Sequence, residues 1–418
     1  MKIRHLVIPV VLSAMTMHSN AQTSTTVAPA KTTTKSKTTV TKTAPTTKTT
    51  PATRPTSANS AALIKPVSAS SVSKDPAIKQ LDFSTKIKPT EDFFEYVNQR
   101  WTKANPIPAD KSRFGMFDKL DERSRLVVKR ILENSANLKI KAPKGSNLQI
   151  LGDFYRNAMD TAAIDKSGVQ PLQGWFTEIE NATTPSALTK IFSKLGMRDM
   201  SSPLGYYVDV DAKNTTRYVM YIGQGGLGLP DKDFYFRKDE KSLKNLDAYG
   251  EYIKNLFQLS GLDKKVTAKQ HMQNVLEIEN LLAAASMSRV ELRDPEKNYN
   301  LFTIDKLKAD YKNIDWDAFF GEMKVTPKEI VVGQPAFYKT VDSMFAKIPH
   351  EKWVSYIEFH LLNGTAKHLN KEIVNARFDF FGKTLSGIVQ LEPRWKRISY
   401  VSEQYLRDLI GQEYVKTN

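Results

Sequence analysis

Six histidines and no cysteine bound the metal and nucleophile chemistry open to this chain. A His-Glu pair with a second histidine one helical turn on would bring two imidazoles to one metal, leaving the glutamate as base for metal-bound water. The His-Glu pair present is His350-Glu351, and Val354 stands where the second ligand is required. His360 and His368, eight positions apart, could be joined by Glu358 or Glu372 into a set of three, against the plainer reading of surface or boundary histidines. No Gly-x-Ser-x-Gly elbow occurs, and carboxylates spread along helices do not single out an acid/base pair. Absence of cysteine excludes disulfides, thiolate metal sites and thiol nucleophiles.

Gly223-Gln-Gly-Gly-Leu-Gly228 matches the spacing of a dinucleotide phosphate loop and follows a β-rich run. Pro230 comes directly after, and no small-residue helix follows to turn backbone N–H groups toward a pyrophosphate. The nucleotide reading is set aside. With Asp231-Lys-Asp-Phe-Tyr closing it, the segment reads as a glycine-rich structural hinge rather than a catalytic loop.

The elements that must position these residues begin with a leader. Lys2 and Arg4 precede an apolar run from Leu6 to Met17, too short to span a bilayer, and Ser19-Asn-Ala21 offers a cut before Gln22, so residues 1–21 read as a secretory signal peptide. Export to the periplasm or the extracellular space is expected, without a transmembrane segment. Residues 22–75 are Thr, Lys, Ala, Pro and Ser with little large and apolar, a composition that cannot offset the entropy of ordering and reads as a disordered linker. Folded sequence is expected over 76–418. The formal charge of +16 places +2 in the leader and +7 in the linker, so about +7 is dispersed over the large body and no nucleic-acid partner is expected.

The body reads as mainly α, a multi-helical lobe with one small β-hairpin or sheet. Phe93, Phe94, Tyr96, Val97 and Trp101 fit one helix face, Pro106 and Pro108 force a turn, and Phe117, Leu120, Val127 or Val128 and Ile131 mark a second amphipathic helix. Leu148 to Ala158 gives another. Tyr206–Val210 and Arg217–Ile222 are β-rich runs joined by a hairpin-like connection. Tyr252, Leu256 and Leu259, then Met272, Val275, Ile278, Leu281 and Leu282, give two long amphipathic stretches.

The wording of several of these blocks resembles the neprilysin family of zinc metallopeptidases. The blocks are Asp92-Phe-Phe-Glu-Tyr96 with Trp101, Asn105–Pro108 and Phe114–Asp118; Leu151–Asp165; Gln224-Gly-Gly-Leu-Gly-Leu-Pro-Asp231; Arg293-Asp-Pro; Ala376–Gly387 with Pro393–Arg397; and Gly411–Lys416. They run in order from about Leu81 to the last residue. The resemblance implies a secreted metalloendopeptidase acting on short peptides. It also implies that this chain is the N-terminal, substrate-restricting lobe, ending ahead of the zinc-bearing half.

Zinc belongs to the family, but its H-E-x-x-H ligands and its Asn-Ala-aromatic substrate strand are missing here, so no catalytic or metal residue is assigned and the chain alone is expected to be inactive. Trp101, Arg113, Gln224, Gly225, Gly226 and Asp231 fall on family-motif or substrate-side positions, and Ala104 stands where some members carry a substrate-contacting arginine. The alternative is a non-catalytic helical module that binds peptides or a partner. The expected partners are a separate catalytic half or a second copy of the chain, contacted through the aromatic-rich segment around Phe378, Phe380, Phe381 and Trp395.

Overall fold

The computed structural model describes residues 83–137 and 142–417. The expected leader and linker, 1–21 and 22–75, lie outside the described residues.

Helices α1 (Phe93–Ala104), α2 (Met116–Ser135), α3 (Asn147–Met159), α4 (Thr161–Ser167), α5 (Gln173–Glu180) and α6 (Pro185–Gly196) precede a hairpin of β1 (Gly205–Asp211) and β2 (Asn214–Gly223). Then come α7 (Asp233–Phe236), α8 (Glu240–Ser260), α9 (Ala268–Ala285), β3 (Leu301–Thr303), α10 (Ile304–Asp310), α11 (Trp316–Met323) and β4 (Glu329–Val332). The last helices are α12 (Pro335–Lys347), α13 (His350–Thr365), α14 (Lys371–Arg377) and α15 (Arg394–Thr417), with a π-helical continuation of α14 over Phe378–Leu385 and a break inside α15 at Leu406. Asp92, Ser146, Thr184, Asp239, Thr267 and Asp315 each cap a helix by accepting the N–H three residues on, worth about 1 kcal/mol apiece.

Two hydrophobic cores divide the work. The larger surrounds α13, a helix buried on nearly every side from Trp353 to Leu362, against which α6, α8, α9 and α12 pack. Phe192 meets Trp353 edge-on at 5.4 Å and Tyr356 at 6.3 Å. The smaller core joins Val128, Ile131 and Leu132 of α2 to Leu151 and Tyr155 of α3 and Ile398 and Ile410 of α15.

The expected hairpin forms, and the sheet extends beyond it to the order β1-β2-β4-β3. β2 runs antiparallel to β1 and parallel to β4, with Met220 opposite Ile330 and Ile222 opposite Val332. Buried on both faces, β2 shows an unbroken apolar run from Val219 to Ile222 where a half-exposed strand would alternate. Arg217 fastens the hairpin by donating to Asp211 Oδ2 at 2.8 Å and to Glu329 Oε2 at 2.7 Å.

One expectation is corrected. The aromatic face of α1 does not enter a core: none of its residues is buried, and Phe93 and Phe94 are exposed. Phe117, at the start of α2, is 88% exposed, so only the second half of the α2 stripe is covered. Helical spacing is satisfied, but the apolar contacts of α3 and α15 fall on the latter turns of α2.

Candidate functional site

The residues singled out by sequence fall into two separate places. Gln224, Gly225, Gly226 and Asp231 belong to the loop that follows β2 on the large core, whereas Trp101 and Arg113 flank the turn between α1 and α2.

The glycine loop is pressed against helices. Gly226 has φ +85°, its carbonyl accepts from the Tyr356 hydroxyl at 2.6 Å, and a Cβ there would lie 2.5 Å from that oxygen. At Gly228 a Cβ would come within 1.8 Å of the Tyr249 hydroxyl. Gln224 exchanges hydrogen bonds with the Met287 backbone at 2.7 and 3.1 Å, and its N–H donates to Gln334 Oε1 at 2.7 Å. Asp231 accepts from the Asp233 N–H at 2.8 Å and pairs with Arg289. So many fixed contacts make this loop a clasp, and the hinge reading is replaced.

Beneath the clasp lies a carboxylate the sequence reading missed. Glu279 of α9 is fully buried and accepts from the hydroxyls of Tyr235 and Tyr249, each at 2.9 Å. His360 Nε2 stands 3.0 Å from its Oε1, near enough to attract but out of line for a hydrogen bond. Burial, with Glu279 adding to it, drives both tyrosine pKa values well above the usual range, so the hydroxyls keep their protons and remain donors. The available signal was a glutamate on the apolar stripe Val275, Ile278 and Leu282.

The histidines do not converge. His350 Nε2 bonds the Glu180 carbonyl at 3.0 Å, with Val354 one turn on. His360 faces Glu279, whereas burial together with Lys367, Arg377 and Arg394 pushes the pKa of His368 down to about 4. Glu372 accepts from Asn370 at 2.8 Å on the surface. Surroundings so rich in cations repel a metal ion, and among the described residues no three metal-ligating side chains meet. The described histidines and carboxylates are not arranged to hold a zinc ion.

Arg113 lines a cavity of about 550 Å³ between the two cores. Behind it, Lys396 is buried and its ammonium reaches Asp110 at 3.1 Å and Glu122 and Glu392 at 3.3 Å each. Arg125 adds a second tie between α2 and α15, meeting Glu403 at 2.6 Å and Asp121 at 3.1 Å and covering the Tyr400 ring at 3.5 Å. Trp101 stacks on Phe114 at 6.1 Å with its indole N–H shielded from solvent, so it supports the turn that carries Arg113.

Comparison with known proteins places this architecture. The profile described as Peptidase family M13 matches residues 89–418. Rattus norvegicus endothelin-converting enzyme 1 is 28% identical over 346 residues, covering 79% of this chain and 44% of that protein. Mus musculus neprilysin is 24% identical over 372 residues, covering 81% and 48%. The inhibitor complex of the Mycobacterium tuberculosis zinc metalloprotease Zmp1 superposes with a TM-score of 0.75 at 30% identity, covering 81% of this chain and 52% of that one. The chain thus spans about half the length of the curated relatives it matches. With both the clasp and the two-core helical body accounted for in one match, the chain belongs to peptidase family M13.

Proposed function

We propose that these residues form the helical, substrate-restricting lobe of an exported zinc metalloendopeptidase that cleaves short peptides, and that zinc and general base come from residues outside them. The observation that carries this reading is the match over 89–418 to a family whose solved member Zmp1 is a zinc metalloprotease, combined with histidines that, among the described residues, do not meet in a metal-ligating group. Zinc content and hydrolysis of a fluorogenic peptide, measured on the purified chain alone and mixed with the catalytic half of a related peptidase, test it. The chain alone should hold no stoichiometric zinc and show no turnover, while the mixture should gain or narrow activity. Chelator-sensitive cleavage by the chain alone would overturn the proposal. Export predicts a mature N-terminus near Gln22, read by intact mass.

A second reading, a partner-binding module, draws support from a different surface than the sequence pointed to. Phe380 is buried against Tyr252 at 5.4 Å, Phe381 meets the same ring at 5.5 Å, Trp395 lies under Lys129 and Phe378 lines the cavity, so the C-terminal aromatics are buried or half-buried. Exposed instead are Phe93, Phe94, Ile107, Met116 and Phe117. Exposed apolar groups in this number suit a catalytic half or a second copy of the chain. Light scattering with Phe117→Ser and Phe93→Ser separates the surfaces: loss of association would support this face, and unchanged association would remove it. Among the described residues no helix is long and apolar enough to cross a membrane.

A further inference from the structure

The cavity between the two cores has an unusual charge account. Its carboxylates are already engaged: Asp110 and Glu392 with Lys396, and Asp118 with the Gly115 N–H at 2.8 Å. Its cations are engaged less fully: Lys111 reaches Glu122 only at 3.9 Å. Among the described residues, Lys367, Arg377 and Arg397 have no carboxylate oxygen within 4.0 Å, although all three line the same space. Lys367 donates to the neutral Gln404 Oε1 at 3.4 Å, and Arg397 Nε to the Glu392 carbonyl at 3.1 Å. The Arg377 guanidinium lies over the Phe381 ring at 5.0 Å, and its Nε–H is shielded from solvent without meeting an acceptor.

Neighbouring groups register a net positive field. Burial and then Arg377 lower the Lys367 pKa against a smaller pull from Asp199, burial and then Arg394 lower that of Arg397 against a smaller pull from Glu392, and His368 is held at about 4. The same space has an apolar lining from Val374, Phe381, Ile388, Leu391 and Ile398. A volume of about 550 Å³ is that of a small-molecule site, and two guanidinium groups with an ammonium are the donors chosen for carboxylate and phosphate oxygens.

We propose that this cavity binds an organic oxyanion, a carboxylate or phosphate carried on an apolar or aromatic body, with Arg377, Arg397 and Lys367 at the charged end and Val374, Phe381 and Ile398 along the body. The ligand supplies the counter-charge the walls lack. Because Phe381 packs against the large core and Ile398 belongs to the small one, a bound anion also ties the two cores together. The inference rests on this chain's own cations and holds whether or not the chain serves a peptidase.

Calorimetric titration of the purified chain with 4-phenylbutyrate and with phenyl phosphate, against uncharged 4-phenylbutyramide, tests it, alongside the NMR titration of the His368 imidazole. Both anions should bind and the amide should not, and R377Q and R397Q should each weaken binding by about tenfold. Bound anion should move the His368 titration to higher pH, a readout that general salt effects at other sites would not reproduce. No binding of either anion at about 10 mM, or binding that R377Q and R397Q leave unchanged with His368 unmoved, would overturn the proposal.

Discussion

Lys396 and Arg397 are neighbours in sequence and opposites in environment. Burial works against the Lys396 charge, yet Asp110, Glu392 and Glu122 more than reverse that effect and hold its proton well above the usual lysine range. Arg397, one residue on, donates to the Glu392 backbone carbonyl, and burial followed by Arg394 lowers its pKa despite the opposing pull of the Glu392 carboxylate. The buried glutamates repeat the contrast. Glu279 is met by two hydroxyls and an imidazole, whereas Glu358, 2% exposed on α13, is pushed up to about 8 by burial, with Glu180 adding to the shift. Compensated charges here hold elements together; uncompensated ones leave the fold with a titration or a ligand still to be satisfied.

Substitutions sharpen the contrast, beginning with the largest effect. Glu279→Ala leaves two buried tyrosine hydroxyls without their common acceptor and should cost about 4 kcal/mol in urea unfolding, with Glu279→Gln costing less than half of that. Lys396→Met strands Asp110, Glu122 and Glu392 around an apolar side chain and should cost about 3 kcal/mol in the same assay. If Lys396→Met proves as mild as Arg397→Gln, the distinction between the two cations fails.

Glu358 gives a pH dependence. Its folded pKa is raised, so the folded state holds a proton the unfolded chain releases; this contribution to stability is present below about 4.5 and is lost as pH rises through about 8. Denaturation midpoints measured from pH 5 to 8.5 should therefore fall less steeply in Glu358→Gln than in the wild type. His368 acts with the opposite sense: its folded pKa is depressed, so its contribution is present above about 6.5 and is lost as pH falls toward about 4. The smallest effect is expected from Arg377→Gln, within about 0.5 kcal/mol at pH 7, together with a rise in the His368 pKa followed by NMR. A large destabilisation by Arg377→Gln would make that arginine a member of the structural set.

Much of the architecture was legible because helical spacing and short wording blocks survive in the sequence. The hairpin, α8, α9 and the family motifs all lie where local pattern put them. What local pattern could not report was the covering layer: α1 has the spacing of a buried helix and buries no residue fully, since spacing records a face and not what lies upon it. α13 shows the converse, for a helix enclosed on all sides has no polar stripe to betray its period. β3 and β4, three and four residues long, are too short for alternation to register. The cavity cations were the least visible. Arg377 ends one helix, Arg397 begins another, and only the π-helical stretch and the chain after it bring both to one space.

The parallel pairing of β2 with β4 sets the order in which this body can assemble. Met220 and Ile330 are 110 positions apart, so the β1–β2 hairpin closes on microsecond timescales while the β4 contact waits for α7 to α11 to condense. In that interval β2 exposes an unpaired edge along Val219–Ile222, the kind of template that a second nascent chain would join. Refolding yield should accordingly fall with chain concentration, and a charge placed at the exposed Tyr218, beside that edge, should recover part of it.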